Sequence, residues 1–308
     1  MTDWGTGALD LDAYLDRVGY RGPREPTEAT LRALHRAHVA AVPFENLDVM
    51  LGRGVRVDLD AVQDKLVRRR RGGYCYEHGV LFAAVLERLG YRVRRVLART
   101  GDPAEHPRPR SHLVNRVWTA DDRPWLADVG FGSGLLEPVP LPSGTPQRQG
   151  GWTYEATRDD DGYWRLRERQ GSEWVVLMSF AEEDTFPVDV DNANHVTSTH
   201  PGSPFTQRTI LVRKDDHSVR SLIGRQYSVR RPDGTVEERQ LTDDEFAGVL
   251  RAEYGAALSD DEVAELTALR EHLVRLCQTM SVSGGRSSRQ DGVDSPVNRR
   301  DMLSIIAQ

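Results

Sequence analysis

Arg71-Gly72-Gly73-Tyr74-Cys75-Tyr76-Glu77-His78-Gly79-Val80-Leu81 places a cysteine directly after a glycine pair and at the head of a run that reads as a helix. Val80, Leu81, Ala84, Val85 and Leu89 recur at helical spacing, and Gly90 supplies the C-terminal stop. A thiol at a helix N-terminus sits at the positive end of the helix dipole, which favours thiolate. The glycines allow tight or left-handed backbone and close approach of a substrate. Two readings of Cys75 follow: a nucleophile, or a small buried hydrophobe, as free cysteines usually are. Cys277 lies in an amphipathic helical pattern and reads as core.

Upstream of the glycine pair the texture is helical. Leu11, Tyr14, Leu15 and Val18 share one period, and Leu31, Leu34, His38 and Val39 follow the start signal at Pro26-Thr27. A further helix is expected from about Asp58 to Val67. Downstream of Gly90 the pattern changes to strands at Val93 to Ala98, His112 to Trp118 and Trp125 to Val129, the last two joined by a polar turn. Strands are also expected at Trp152 to Ala156, Tyr163 to Glu168 and Trp174 to Met178. A loop-rich stretch is expected from Asp184 to Phe205. Strands resume at Thr209 to Arg213 and Ser218 to Ile223, and Gly224 to Val236 reads as a hairpin turning at Asp233-Gly234. Asp243 to Tyr254 and Ser259 to Cys277 read as helices. This order predicts an α+β chain of three subdomains. They are a helical bundle over residues 1–90 carrying the cysteine, a β-barrel over 91–205, and an α/β lid over 206–280, with a disordered tail over 281–308.

Length and charge set the outer bounds. The 308 residues exceed one ordinary core, and a net charge of −6 argues against a nucleic-acid surface. The basic charge is nearly all arginine, with Lys65 and Lys214 the only lysines. No apolar run approaches the ~18 residues that span a bilayer, and the N-terminus lacks a basic, apolar leader pattern. Two cysteines far apart exclude a disulfide framework, so a cytoplasmic setting is expected.

A nucleophilic cysteine needs a base, and the base an orienting carboxylate. His112, in Arg110-Ser111-His112-Leu113, and Asp128, in Ala127-Asp128-Val129-Gly130-Phe131-Gly132, come out roughly opposite each other if their strands form a hairpin. A carboxylate set in an apolar strand requires a partner. His78 is a rival base, three residues after Cys75 and on the same helical face. A Cys75/His78 metal site lacks a second ligand pair, so no metal is expected. Gly130 and Gly132 would leave room for a thioester, and Phe131 could wall an apolar slot; an ordinary strand-ending turn is the other reading. Val42 to Leu47 reads as a buried corner in which Glu45 needs a cation, and Arg71 is the candidate. His35 and His38 read as packing residues. No Gly-rich nucleotide fingerprint is present.

Five blocks together resemble the arylamine N-acetyltransferase family. They are Pro43-Phe44-Glu45-Asn46-Leu47, Arg71 to Glu77, Ser111-His112-Leu113, Asp128 to Gly132, and Ser198-Thr199-His200-Pro201-Gly202-Ser203-Pro204-Phe205. The resemblance implies a helical bundle, a barrel and a lid around a transglutaminase- or papain-like core, with Cys75, His112 and Asp128 as the triad. It implies ping-pong transfer of acetyl from acetyl-CoA to arylamines, arylhydrazines and arylhydroxylamines. It further implies cleft roles for Phe131, Phe205, Thr100 and Ser111, where threonine is commoner, and a structural charge cluster of Arg17, Glu45 and Arg71. Small molecules and coenzyme A are the expected partners, with no membrane, and a monomer or homodimer is expected. A macrolactam-forming amide synthase on the same triad, or a Cys-His-Asp hydrolase, are the alternatives.

Overall fold

In a computed structural model, residues 3–269 are described; Cys277 and the tail expected over 281–308 lie outside them. The N-terminal helices are set by their caps. Asp10 accepts the Ala13 N–H at the head of α1 (Leu11–Val18), and Gly19, at φ 69°, ends it. Thr27 caps α2 (Glu28–Ala41), as its start signal predicts. A two-residue strand, β1 (Phe44–Glu45), precedes α3 (Leu47–Met50). Then come α4 (Leu59–Gln63), a wide turn over Asp64–Arg68, and α5 (Cys75–Arg88).

Eight strands follow: β2 (Arg92–Thr100), β3 (Arg110–Trp118), β4 (Pro124–Ala127), β5 (Val139–Pro140), β6 (Gln147–Gln149), β7 (Trp152–Arg158), β8 (Trp164–Gln170) and β9 (Glu173–Phe180). They form one antiparallel sheet ordered β5-β4-β3-β2-β9-β8-β7-β6. The sheet curls until it is nearly closed like a barrel. Just after β5, the Ser143 N–H bonds the Ala156 carbonyl of β7 at 2.9 Å, and Ser143 Oγ takes the Ala156 N–H.

The stretch from Asp184 to Phe205 is not the expected loop. It holds α6 (Pro187–Thr199) and α7 (Pro204–Gln207). Pro187 opens α6 at its first turn, and the Asp189 carboxylate takes the Phe186 N–H. The middle of α6 is anchored by tyrosines 120 residues away: Tyr74 OH bonds Asn194 and Tyr76 OH bonds Thr197.

Strands β10 (Ile210–Lys214), β11 (Val219–Ile223), β12 (Gln226–Arg230) and β13 (Val236–Gln240) form a second antiparallel sheet. The β12–β13 turn closes through Arg231 and Thr235, with Gly234 at φ 86°, as Asp233-Gly234 predicts. The helix α8 (Asp243–Ala252) and a helical stretch over 260–269 cover one face around Leu211, Leu222, Phe246 and Leu250. The edge of this sheet is β1, pairing Phe44 with Val212 and Glu45 with Leu211, and Phe44 also bridges Gly73. The second sheet is thereby tied directly to the turn before Cys75. The larger core packs α1, α2 and α5 against the eight-stranded sheet.

Candidate active site

Cys75 is the first residue of α5, and the turn before it is crowded by protein. A Cβ on Gly72 would lie 2.4 Å from the Pro43 carbonyl oxygen, and one on Gly73 2.7 Å from Glu77 Oε2. Neither residue has a positive φ. The glycine pair is therefore a close-packing device, not a left-handed turn or a gap left for substrate. Glu77 Oε2 takes the Tyr74 N–H at 3.0 Å and secures the helix start.

Helix α5 lies hard against β3. A Cβ on Gly79 would meet Leu113 at 2.9 Å, and Asn115 Nδ2 donates to the Gly79 carbonyl. One helical turn earlier on that face, Cys75 is brought to the start of β3. There the ladder slips: Ala98 pairs with His112 but Arg99 pairs with Arg110, so Ser111 is a bulge residue. Its freed carbonyl faces the Cys75 sulfur, with sulfur to oxygen 3.6 Å.

His112 Nε2 donates to Asp128 Oδ2 at 2.9 Å. The two are not directly opposite. The β3–β4 register pairs Asn115 with Ala127, which sets His112 and Asp128 diagonally on one face. Asp128 Oδ1 takes the Gly130 N–H at 2.9 Å. With Nε2 engaged, Nδ1 is the ring nitrogen left for Cys75. Burial works against a charged His112. The Asp128 carboxylate, its hydrogen bond and the contact with Cys75 overcome that penalty and push its pKa up to about 10.

A narrow pocket, open to solvent, is lined by Phe44, Cys75, Thr100, Ser111, His112, Gly130, Phe131 and Phe205. The Phe131 ring meets His112 edge-on at 5.2 Å. Phe44 is the lining residue that the sequence reading placed in a structural corner; its signal was its place beside the Glu45 motif. Gly132 does not line the pocket. It sits at φ 76° with Phe44 and Val212 within 3.2 Å of its Cβ direction, behind the wall.

His78 faces away from this group, donating to the Gly73 carbonyl and bonding His38. The charge cluster also differs from expectation. Arg17 donates to the carbonyls of Leu66 and Arg70, capping the wide turn rather than meeting Glu45. Arg71 stands 3.8 Å from Glu45 but 3.3 Å from Asp48. Lys65 is the centre that sequence reasoning missed, 2.9 Å from both Asp48 and Glu77. Burial pushes Glu77 up to about 7 despite Lys65. Among the described residues no group of three or more His, Cys, Asp or Glu could hold a metal, and no helix is long and apolar enough to cross a membrane.

Residues 27–263 match the family model described as N-acetyltransferase. An arylamine N-acetyltransferase of Mycobacterium bovis is 36% identical over 297 residues, which span 94% of this chain and 100% of that protein. The chain belongs to the arylamine N-acetyltransferase family. The structure of the Nocardia farcinica family member superposes with a TM-score of 0.79 at 42% identity, covering 86% of this chain and 96% of that one. The Mycobacterium marinum member, solved in complex with CoA, gives a TM-score of 0.79 at 34% identity, covering 86% and 99%.

Proposed function

We propose that this chain is an acetyl-CoA-dependent arylamine N-acetyltransferase working through an acetyl-Cys75 intermediate, with His112 as proton carrier and Asp128 as its orienting carboxylate. The observation that carries this is Cys75 at a helix start, in a pocket walled by three phenylalanines, beside a histidine bonded to a buried aspartate.

In the resting pair His112 holds the proton, as its raised pKa favours, and Cys75 reacts as thiolate. The sulfur attacks the thioester carbonyl of acetyl-CoA. The oxyanion is met by backbone N–H groups, with that of Cys75 at the first turn of α5 the natural donor. The carbonyl reforms as the bond to the coenzyme A sulfur breaks, and His112 protonates the leaving thiolate. An arylamine then attacks acetyl-Cys75, gives its proton to His112 Nδ1, and leaves as the amide. That step restores the thiolate and imidazolium. Arylhydrazines, and arylhydroxylamines through oxygen, fit the same step.

The Phe44, Phe131 and Phe205 walls and the modest pocket suit a single flat ring with a short acyl group, and not a long carrier-bound chain. Thr100 and Ser111 also line this pocket. Incubation with acetyl-CoA should add one acetyl group, located on Cys75 by peptide mass analysis and discharged by an aniline. An unmodified Cys75, or full activity in Cys75→Ala, overturns the proposal.

A further inference from the structure

Behind the pocket wall lies a buried ionic cluster that acetyl transfer does not use. Phe131, Gly132 and Ser133 form a three-residue turn, closed by the Ser133 N–H on the Phe131 carbonyl at 2.9 Å, with Gly132 at φ 76°. Glycine adopts this positive φ without strain, so nothing in the backbone of the turn itself holds it in one conformation. A glycine turn is conformationally free unless its neighbours tie it down. Here the next two carbonyls are both tied down. Lys214 Nζ donates to the Ser133 carbonyl at 2.8 Å, and Tyr154 OH donates to the Gly134 carbonyl at 2.9 Å.

The remaining Lys214 protons go to Glu168 Oε2 at 3.1 Å and to the Tyr154 hydroxyl oxygen, so the ammonium is fully used. Trp152 covers it, with Nζ 4.0 Å from the ring centre. Glu168 Oε1 takes a bond from Arg230 at 2.8 Å. The Lys214 and Glu168 side chains are both 0% exposed. The cluster opposes two cations to one carboxylate. Burial, then Arg230, draw Lys214 down to about 8 against the pull of Glu168, while the two cations hold Glu168 at about 2 against its own burial. Lys214 and Arg230 come from the five-stranded sheet; Trp152, Tyr154 and Glu168 come from the eight-stranded one. Apolar residues of like volume often match or exceed the stability of such a cluster. Stability alone therefore does not account for a lysine whose ammonium ends on the turn that presents Phe131.

We propose that Lys214 is a positioning residue for the acceptor: by fixing the Ser133 carbonyl it locks the Phe131 turn and so sets the Phe131 ring against His112 and across the pocket. The inference rests on the reading that the pocket takes an aromatic amine. An aromatic acceptor senses the placement of Phe131, whereas hydrazine, with no ring, does not.

Lys214→Met and Tyr154→Phe are compared with wild type using aniline and hydrazine as acceptors, with acetyl-Cys75 formation followed by mass and folding by thermal melt. In Lys214→Met the KM for aniline should rise about tenfold and that for hydrazine less than about twofold, so the aniline-to-hydrazine ratio of kcat/KM falls about tenfold, or about 1.4 kcal/mol. Tyr154→Phe, which keeps the Lys214–Glu168 pair, should lower the same ratio by a smaller factor. An unchanged ratio in folded Lys214→Met, both acceptors losing in parallel, overturns the inference. Should Lys214→Met not fold, an unchanged ratio in Tyr154→Phe does so. A wild type that acetylates hydrazine but not aniline overturns the aromatic-amine reading instead, which separates the two failures.

Discussion

His112 and His78 flank the same cysteine turn, and both are buried, yet they are driven in opposite directions. His112 is pushed up to about 10 and His78 down to about 4. Burial disfavours the charged form of each. The difference lies in what their Nε2 atoms meet: a carboxylate for His112, a backbone carbonyl for His78. Two unit charges about 4 Å apart interact by about 4 kcal/mol at an effective dielectric of about 20, which is about three pKa units. The charge-assisted hydrogen bond adds to that. A carbonyl dipole supplies too little to offset burial.

The His78 side also has a fixed proton order. Its Nε2–H serves the Gly73 carbonyl, so Nδ1 must accept from His38 Nε2–H at 2.9 Å. His38 Nδ1 must in turn accept from Tyr14 OH at 2.9 Å. Burial, with His78 and His35 nearby, holds His38 well below the usual range, and burial draws His35 down to about 4. One histidine neighbourhood is built to hold a proton, the other to stay neutral and pin the backbone two residues before Cys75.

The sharpest break of this contrast is Asp128→Asn. It keeps the volume and removes the charge, which should bring His112 to the His78 side, neutral at pH 7. The loss should be roughly 10⁴ in kcat, the scale known for neutralising a triad aspartate. Titration of the His112 ring by NMR in folded protein checks the cause. A ring still protonated at pH 7 in the variant would show that Asp128 is not what raises it.

The neutral histidines predict an acid limb. As pH falls from 6.5 towards 4, the unfolded chain gains protons that His35, His38 and His78 refuse while folded, so their contribution is complete above 6.5 and lost below. His35 and His78, each lowered from 6.5 to about 4, should cost roughly 3 kcal/mol apiece once both are protonated. His112 acts in the other sense. Its contribution is full below 6.5 and fades as pH rises through about 10. Urea unfolding at pH 7.5, 6 and 4.5 should show stability dropping at the acid end; a flat profile contradicts the neutral assignment.

A smaller effect is expected for His38→Leu, which leaves Tyr14 OH and His78 Nδ1 without partners. The cost should be about 2 to 4 kcal/mol of stability, with a shallower acid limb. Activity per folded molecule should fall far less than in Asp128→Asn. An equal fall would place the histidine relay in the chemistry and erase the distinction drawn above.

The proposed catalytic group is more legible in the sequence than its support. Cys75, His112 and Asp128 sit in short blocks whose local pattern, a glycine-led helix start and two strands about a polar turn, fixes them over few residues. The hairpin about the polar turn sets His112 roughly opposite Asp128, and the true register departs from that by two residues, to a diagonal pair. Helix α6 was illegible for a physical reason: Pro-Val-Asp-Val-Asp-Asn-Ala-Asn-His-Val-Thr-Ser-Thr is poor in strong helix formers. Its anchors, Tyr74 and Tyr76, lie in a distant segment. The same holds for Lys65, whose partners Asp48 and Glu77 are joined only by the fold. The glycine pair was misassigned because glycine signals both freedom and lack of room, and only the neighbours distinguish them.

The finest test concerns Ser111, the bulge residue beside His112. Its hydroxyl is 3.5 Å from the Pro109 carbonyl and solvent-facing, while its main-chain carbonyl points at the Cys75 sulfur. The bulge, and not the side chain, turns that carbonyl inward, because the extra residue breaks the pairing that would occupy it. Ser111→Ala should therefore lower kcat/KM by no more than about twofold, the scale of a substitution worth about 0.5 kcal/mol. A loss above about tenfold, with Cys75 acetylation slowed to match, would move the hydroxyl into the reaction. It would then be the side chain at Ser111 that tunes the sulfur, and the contrast between a charged His112 and a neutral His78 would no longer suffice to account for the reactivity proposed for Cys75.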